Sequence, residues 1–159
     1  MAGRTTLVVA PADVLATLVA AGYTGPAFAL ANNETVEIGS GAALSVEAVA
    51  AYNYSPGREQ LHPFGVWNGY VVRWAGQTVY VSGDTEDVPE MRALQGVTVA
   101  FVCMNLPYTM SVDQAADGVL AFKPLNVFPY HYRDSNVTEF KALVEAGGSG
   151  VNVILAEWY

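Results

Sequence analysis

One stretch, Tyr80-Val81-Ser82-Gly83-Asp84-Thr85, constrains the fold of this chain more than any other. The β-branched and apolar run from Thr78 to Val81 reads as a strand that meets a glycine and then delivers a carboxylate, Asp84. Gly83 lets the backbone turn sharply at that point. Further on, a second apolar run, Asn126 to Tyr130, delivers an imidazole, His131, in the same way. Parallel strands of one sheet end at a common edge, so a sheet holding both runs would bring the two side chains together. A carboxylate and an imidazole are what a metal site or an acid–base site needs. Each also has a purely structural reading: Asp84 as a cap of the turn at Thr85-Glu86, His131 as a hydrogen-bonded rim residue between Tyr130 and Tyr132.

Around these two runs the pattern changes from strands to alternating helices and strands. Thr5 to Ala10 reads as a buried strand, and Pro11 opens a helix from about Ala12 to Ala21 that stops at Gly22, with Leu15, Leu18 and Val19 as its apolar face. Ala27 to Leu30, Thr35 to Ile38 and Leu44 to Tyr52 read as an antiparallel meander, the last with Leu44, Val46, Ala48 and Ala50 on one face. A long loop, Asn53 to Gly65, follows, of a length that often serves a site. Val66 to Trp74 and Gln77 to Val81 form a hairpin across Ala75-Gly76. After Asp84 come a short helix, Val88 to Leu94, and a near-continuous apolar strand, Val97 to Met104, whose composition suits a strand covered on both faces. A helix from Ser111 to Phe122 starts on a capping box with Gln114, and a helix capped by Asn136 with Glu139 ends near Gly147-Gly148. Val151 to Leu155 is the last strand. No repeat or linker divides the chain, so it reads as one α/β domain over residues 1–159, meander first and βαβα afterwards.

Composition removes several function classes. A chain of 159 residues that is 52% hydrophobic and 14% charged can bury a core. With a net charge of −8 and 7 Lys plus Arg it lacks the basic surface on which nucleic-acid affinity rests, and it is equally unsuited to an anionic membrane. No apolar run is long enough to span a bilayer, and Met1 to Arg4 lacks a signal-peptide core. The single cysteine, Cys103, lies in an apolar run and reads as a core residue; a lone thiol suits a reducing cytoplasmic compartment.

The remaining candidates are polar residues near strand ends. His62 precedes Pro63 in the long loop, and is either a solvated loop residue or a contributor to a site. Asn53 follows a strand, where it either starts a turn or hydrogen-bonds a site water or an ion. Asp113 and Asp117 read as a solvated helix face. There is no nucleophile elbow, phosphate loop or dinucleotide fingerprint. With two histidines in the sequence, a histidine-rich metal cage cannot be built from one copy.

Taken together, these motifs resemble one family. Val79 to Thr85 resembles the strand and Gly-Asp-Thr motif of the metallo-β-lactamase superfamily. Asn105-Leu106-Pro107-Tyr108-Thr109-Met110-Ser111 with Gln114-Ala115-Ala116, Lys123-Pro124 with Pro129-Tyr130-His131-Tyr132, and Ala51-Tyr52-Asn53 with His62-Pro63 resemble its branch related to ascorbate-phosphate lactonases. The resemblance runs from about Thr5 to the C-terminus. It implies an α/β fold, here a partial metallo-β-lactamase-like αββα sandwich. It also implies that Asp84 would bridge two ions, that His131 would bind one, and that Asn53 stands where the family places a middle histidine. The family's founding His-x-His-x-Asp-His motif would lie upstream of Thr5, and the expectation is a truncated domain without it.

Two functional expectations follow. In the first, the chain is hydrolase-like with an incomplete metal site, holding no cofactor or a weakly bound zinc or manganese ion and having no autonomous hydrolase activity, because affinity falls steeply as ligands are lost. In the second, it is an active metal-dependent hydrolase of lactones or phosphorylated small molecules whose donors are completed by His62, a dimer mate or a partner chain. A homodimer is expected, a second copy covering the sheet face that the absent half would cover. A small-molecule ligand is the expected partner, not nucleic acid and not a membrane.

Overall fold

The computed structural model describes residues 6–39 and 44–157. Thr5, expected to begin the first strand, lies outside them. The elements in chain order are β1 (Val8–Ala10), α1 (Ala12–Ala20), β2 (Ala27–Ala29), β3 (Thr35–Ile38), β4 (Leu44–Ala51), β5 (Trp67–Trp74), β6 (Gln77–Val81), α2 (Pro89–Arg92), β7 (Val99–Cys103), α3 (Val112–Phe122), β8 (Asn126–Tyr130), α4 (Val137–Ala146) and β9 (Asn152–Val153).

A seven-stranded sheet carries the fold, with strands β3 to β9 side by side in chain order. From β3 to β6 neighbours are antiparallel, and from β6 to β9 they are parallel. The β5–β6 hairpin turns on Ala75 and Gly76, both at positive φ (49° and 77°), the twist that a two-residue hairpin needs. The three parallel crossovers each contain one of α2, α3 and α4.

The expected meander is correct for β3 and β4, which pair antiparallel, but not for Ala27 to Leu30. That segment, as β2, pairs parallel to β1 in a separate two-stranded sheet, Val8 opposite Ala27 and Ala10 opposite Ala29. A short apolar run does not encode its partner, and here α1 supplies the crossover that a parallel pair requires. Nor is β1 a buried strand: only Ala10 in it is buried.

Helices α2, α3 and α4 lie on one face of the large sheet. Their buried residues, Met91 of α2, Ala115, Val119 and Phe122 of α3, and Phe140 and Val144 of α4, join Val71, Tyr80, Ala100, Val102 and Val127 of the strands in one core. Register puts Tyr80, Ala100 and Val127 on that face. Their neighbours Val79, Val81, Val99, Phe101 and Phe128 point the other way and are only half-buried. The strand at Val97 to Met104 is therefore not covered equally on its two faces, as its apolar composition suggested. Phe101 and Phe128 stack on that face, with ring centres 5.2 Å apart.

Capping follows the sequence in part. The Ser111 hydroxyl accepts from Gln114 N (3.1 Å), and Asn136 accepts from Thr138 N and Glu139 N (both 3.1 Å). The reciprocal half of the Ser111 box is not made. The Gln114 amide nitrogen donates to Asp87 Oδ1 (2.8 Å), which engages that side chain with a carboxylate.

Candidate functional site

Gly83 makes the corner that presents Asp84. Its φ is +64°, and a Cβ there would stand 2.7 Å from the carbonyl oxygen of Asn68 on the neighbouring strand, so neither the conformation nor the space admits a side chain. His131 leaves β8 at φ +47°, and Arg133 follows at +42°. Non-glycine residues in this region cost free energy and tend to mark sites that the surroundings hold in place. Because β6, β7 and β8 are parallel, Asp84 and His131 emerge at one edge on either side of the end of β7.

There they meet. His131 Nδ1 lies 2.8 Å from Asp84 Oδ1, and His62 Nε2 lies 3.5 Å from Asp84 Oδ2. The carboxylate thus stands between two imidazoles, with 38% of its side chain exposed to solvent. Asn105, just beyond β7, places its amide nitrogen 3.4 Å from His131 Nε2.

The long loop brings His62 from the other side. His62 Nδ1 is 3.1 Å from the carbonyl oxygen of Tyr108, and the same oxygen accepts from Asn53 Nδ2 (2.8 Å). Asn53 N donates to the His62 carbonyl (2.9 Å). Asn53 is 2% exposed, and these bonds hold it against the loop that carries His62. Its Oδ1 is buried without a hydrogen-bond partner among the described residues.

Glu86, two residues past Asp84, fastens this loop to the Gly-Asp-Thr corner. Its side chain is fully buried and its Oε1 lies 2.7 Å from Arg58 Nη2. Its Oε2 accepts from Tyr54 N (3.2 Å), Ser55 N (3.0 Å) and Ser55 Oγ (2.9 Å). Arg58 Nη1 donates to the Thr109 carbonyl (2.8 Å), so one guanidinium ties the loop to both neighbouring segments. Thr85 adds a link: its hydroxyl accepts from Tyr52 N (3.0 Å). From the sequence alone, Glu86 reads only as part of a turn. The signal available was a carboxylate directly after a buried strand and an arginine in the facing loop.

Not every polar group nearby is reactive. Burial pushes the Cys103 thiol up, away from the thiolate, and burial likewise raises the Tyr130 phenol. Cys103 is a fully buried core residue, as its apolar surroundings in the sequence suggested. Asp113 remains on the surface of α3, but Asp117 receives Arg92 Nη1 (2.9 Å), which also reaches Asp87 Oδ2 (2.6 Å).

The donor chemistry of the edge, one carboxylate and two imidazoles, suits a divalent transition metal. The three are strung in a row, each ring on a different oxygen of Asp84. Among the described residues no group of three or more His, Cys, Asp or Glu side chains is gathered so as to hold an ion. The donor types fit a divalent metal.

A cavity of about 510 Å³ opens beside this edge, bounded by Asp84 and His62 and walled by β1, the start of α1, Leu61, Trp67 and Tyr70. Among the described residues no helix is long and apolar enough to cross a membrane.

Comparison with known proteins agrees with this architecture. A crystal structure of a Parabacteroides distasonis protein assigned as a metal-dependent hydrolase superposes with a TM-score of 0.86 at 36% identity, covering 99% of this chain and 67% of that one. A UPF0173 metal-dependent hydrolase of Pyrococcus abyssi is 32% identical over 108 residues, which are 62% of this chain and 47% of the relative. One from Thermoplasma acidophilum is 30% identical over 142 residues, 78% of this chain and 59% of the relative. The chain thus spans about half the length of the curated relatives it matches. The profile of the Beta-lactamase superfamily domain matches residues 1–132, and the chain belongs to the metallo-β-lactamase superfamily.

Proposed function

We propose that this chain supplies Asp84, His131 and His62 to the divalent-metal site of a hydrolase, and that alone it grips the ion weakly and does not hydrolyse. The observation that carries this reading is the Asp84 carboxylate held between two imidazoles on an open sheet edge. An ion would have to compete with those internal contacts, and the donors that would repay the exchange are too few. A bound zinc or manganese ion would lower the pKa of its water and polarise a carbonyl or phosphoryl oxygen. The chain's own part is to hold donors at fixed positions. Gly83 sets the corner, Glu86 and Arg58 set the loop, and Asn53 orients His62 while keeping Oδ1 for a water or an ion.

Isothermal titration of the purified chain with zinc tests this. The expected result is weak binding that disappears in His131→Ala, with no lactonase, esterase or phosphodiesterase activity. Stoichiometric zinc retained through dialysis would overturn it.

A second reading is favoured by the half-buried sheet face bearing Val79, Val81 and Val99. A second copy or a partner chain covering that face would also stand at the edge where Asp84 lies and could complete the donors, giving an active metal-dependent hydrolase. Light scattering that reports the mass of one chain, together with activity unchanged in Asp84→Ala, would exclude it.

A further inference from the structure

The loop that carries His62 has a second anchor, on the helical side of the molecule. We propose that Asp87 is a positioning residue: by gripping Tyr54 it fixes how Asn53 and His62 meet the Asp84 edge. The proposal rests on the reading of that edge as a metal site for its functional meaning, but the positioning belongs to this chain alone and is read without metal.

Three hydrogen bonds from three parts of the chain converge on Asp87. The Tyr54 hydroxyl donates to Oδ1 (2.9 Å), Gln114 Nε2 of α3 donates to the same oxygen (2.8 Å), and Arg92 Nη1 of α2 donates to Oδ2 (2.6 Å). The residue is 7% exposed. Helix α3 comes so close that a Cβ at Gly118 would stand 2.9 Å from Asp87 Cβ, so the absent side chain makes room for the carboxylate. A buried carboxylate is costly unless its oxygens are filled, and an apolar residue of similar volume often serves stability as well. What the carboxylate adds here is a fixed acceptor for Tyr54.

Tyr54 is thereby held at both ends. Its N donates to Glu86 Oε2 (3.2 Å) and its hydroxyl to Asp87, so two adjacent carboxylates grip one residue. Tyr54 is 49% exposed, and hydrogen bonds rather than packing set its place. One attachment leaves the residue free to turn about it; the second removes that freedom. The next residue back, Asn53, passes the constraint on. Its N donates to the His62 carbonyl (2.9 Å), and its Nδ2 donates to the Tyr108 carbonyl (2.8 Å), the oxygen that lies 3.1 Å from His62 Nδ1. A donor set works only when each member stands within about 0.5 Å of its place, and residues that orient the donors are worth about 10- to 100-fold in metal affinity.

The test uses the full chain without metal, at one fixed pH. It reads the NMR signals of the His62 imidazole and the hydrogen-exchange rate of the Asn53 amide, with the amides of α4 and the thermal midpoint as measures of overall folding. Tyr54→Phe removes only the hydroxyl, Asp87→Leu removes the acceptor, and Asp87→Asn keeps an acceptor in place. Tyr54→Phe and Asp87→Leu should shift the His62 signals and speed Asn53 exchange by about tenfold, with α4 unchanged. Asp87→Asn should restore both readings most of the way, and Asp117→Asn, which breaks only the outer contact of Arg92, should leave them as they are. If Asp87→Leu does not fold, Tyr54→Phe decides the matter alone. A lowered thermal midpoint with His62 and Asn53 unmoved would make Asp87 merely structural and overturn the proposal, as would Asp87→Asn proving as damaging as a folded Asp87→Leu. Zinc titration of the same samples separates the two ideas. Should the unaltered chain take up no zinc, the metal reading falls while the His62 response still stands. Should it bind zinc, Tyr54→Phe should weaken that binding by about tenfold, and zinc binding and His62 signals both unchanged in that variant would remove the positioning role and leave the metal reading.

Discussion

Helix α3 buries Ala115, Ala116, Gly118, Val119 and Phe122 against the large sheet, whereas α1, built from equally apolar residues, buries none. The two differ in what faces them. α3 crosses between parallel strands β7 and β8 and packs against α2 and α4, so its apolar stripe meets a sheet and two helices. α1 serves only the two-stranded β1–β2 sheet, and Val19 on it is 64% exposed. Hydrophobic periodicity says which side of a helix wants cover; it does not say that cover exists. The difference also divides labour. The well-packed half holds Asp84 and His131, and the thinly packed half supplies one wall of the cavity beside them.

This contrast can be broken first in the core. Phe140, with no exposed surface, should cost about 3–5 kcal/mol as Phe140→Ala in urea denaturation, by transfer and cavity terms together. A smaller loss would mean that the helical layer is looser than it looks.

Removing one partner of a buried ion pair comes close behind. Glu86→Ala leaves Arg58 uncompensated and should cost about 3–5 kcal/mol, the lower end being expected because Arg58 is partly solvated. It should also free the loop that bears His62. Hydrogen exchange across 53–62 is the check: protection there should collapse while that of α3 persists.

At the corner, Gly83→Ala combines a positive φ with a close approach to the Asn68 carbonyl, and about 1–3 kcal/mol of destabilisation is expected. The His131 imidazole shift in NMR spectra should move with it, because Asp84 is displaced. An unmoved shift would mean that the corner is softer than its geometry.

An alkaline titration sharpens the comparison further. Burial raises the phenol of Tyr80 well above 10.0 and raises Tyr130 as well. The native state then favours the protonated phenols, so the stability they contribute is complete below pH 10 and is lost as pH rises beyond it. The urea midpoint should fall above about pH 10, and less steeply in Tyr80→Phe. The smallest effect belongs to α1. Val19→Ser, on an exposed helix face, should change stability by less than about 0.5 kcal/mol, and a larger loss would reveal cover on α1.

Much of the well-packed half was legible in the residues. Apolar runs of strand length, bounded by Gly83, Ser111 and Asn136, locate β6 to β8 and two helix starts within a few positions, because turns and caps act through near neighbours. The meeting of Asp84 with His131 was legible too, since parallel strands share an edge. The parallel pairing of β1 with β2 was not, nor was the burial of Glu86, nor the bond by which Asn53 shares the Tyr108 carbonyl with His62. Each depends on which distant segment arrives opposite.

By itself the amino-acid order determined a mixed α/β chain, the corner at Gly83, and a carboxylate and an imidazole delivered from strand ends. Tertiary structure alone decided that His62 joins them, that Arg58 and Glu86 clamp its loop, that Val79, Val81 and Val99 stay half-buried, and that Tyr70 lines the cavity beside the edge. The physical reason is range. Dihedral preferences, caps and turns act over a few residues, while burial and pairing are properties of surfaces that exist only after the chain has folded back on itself.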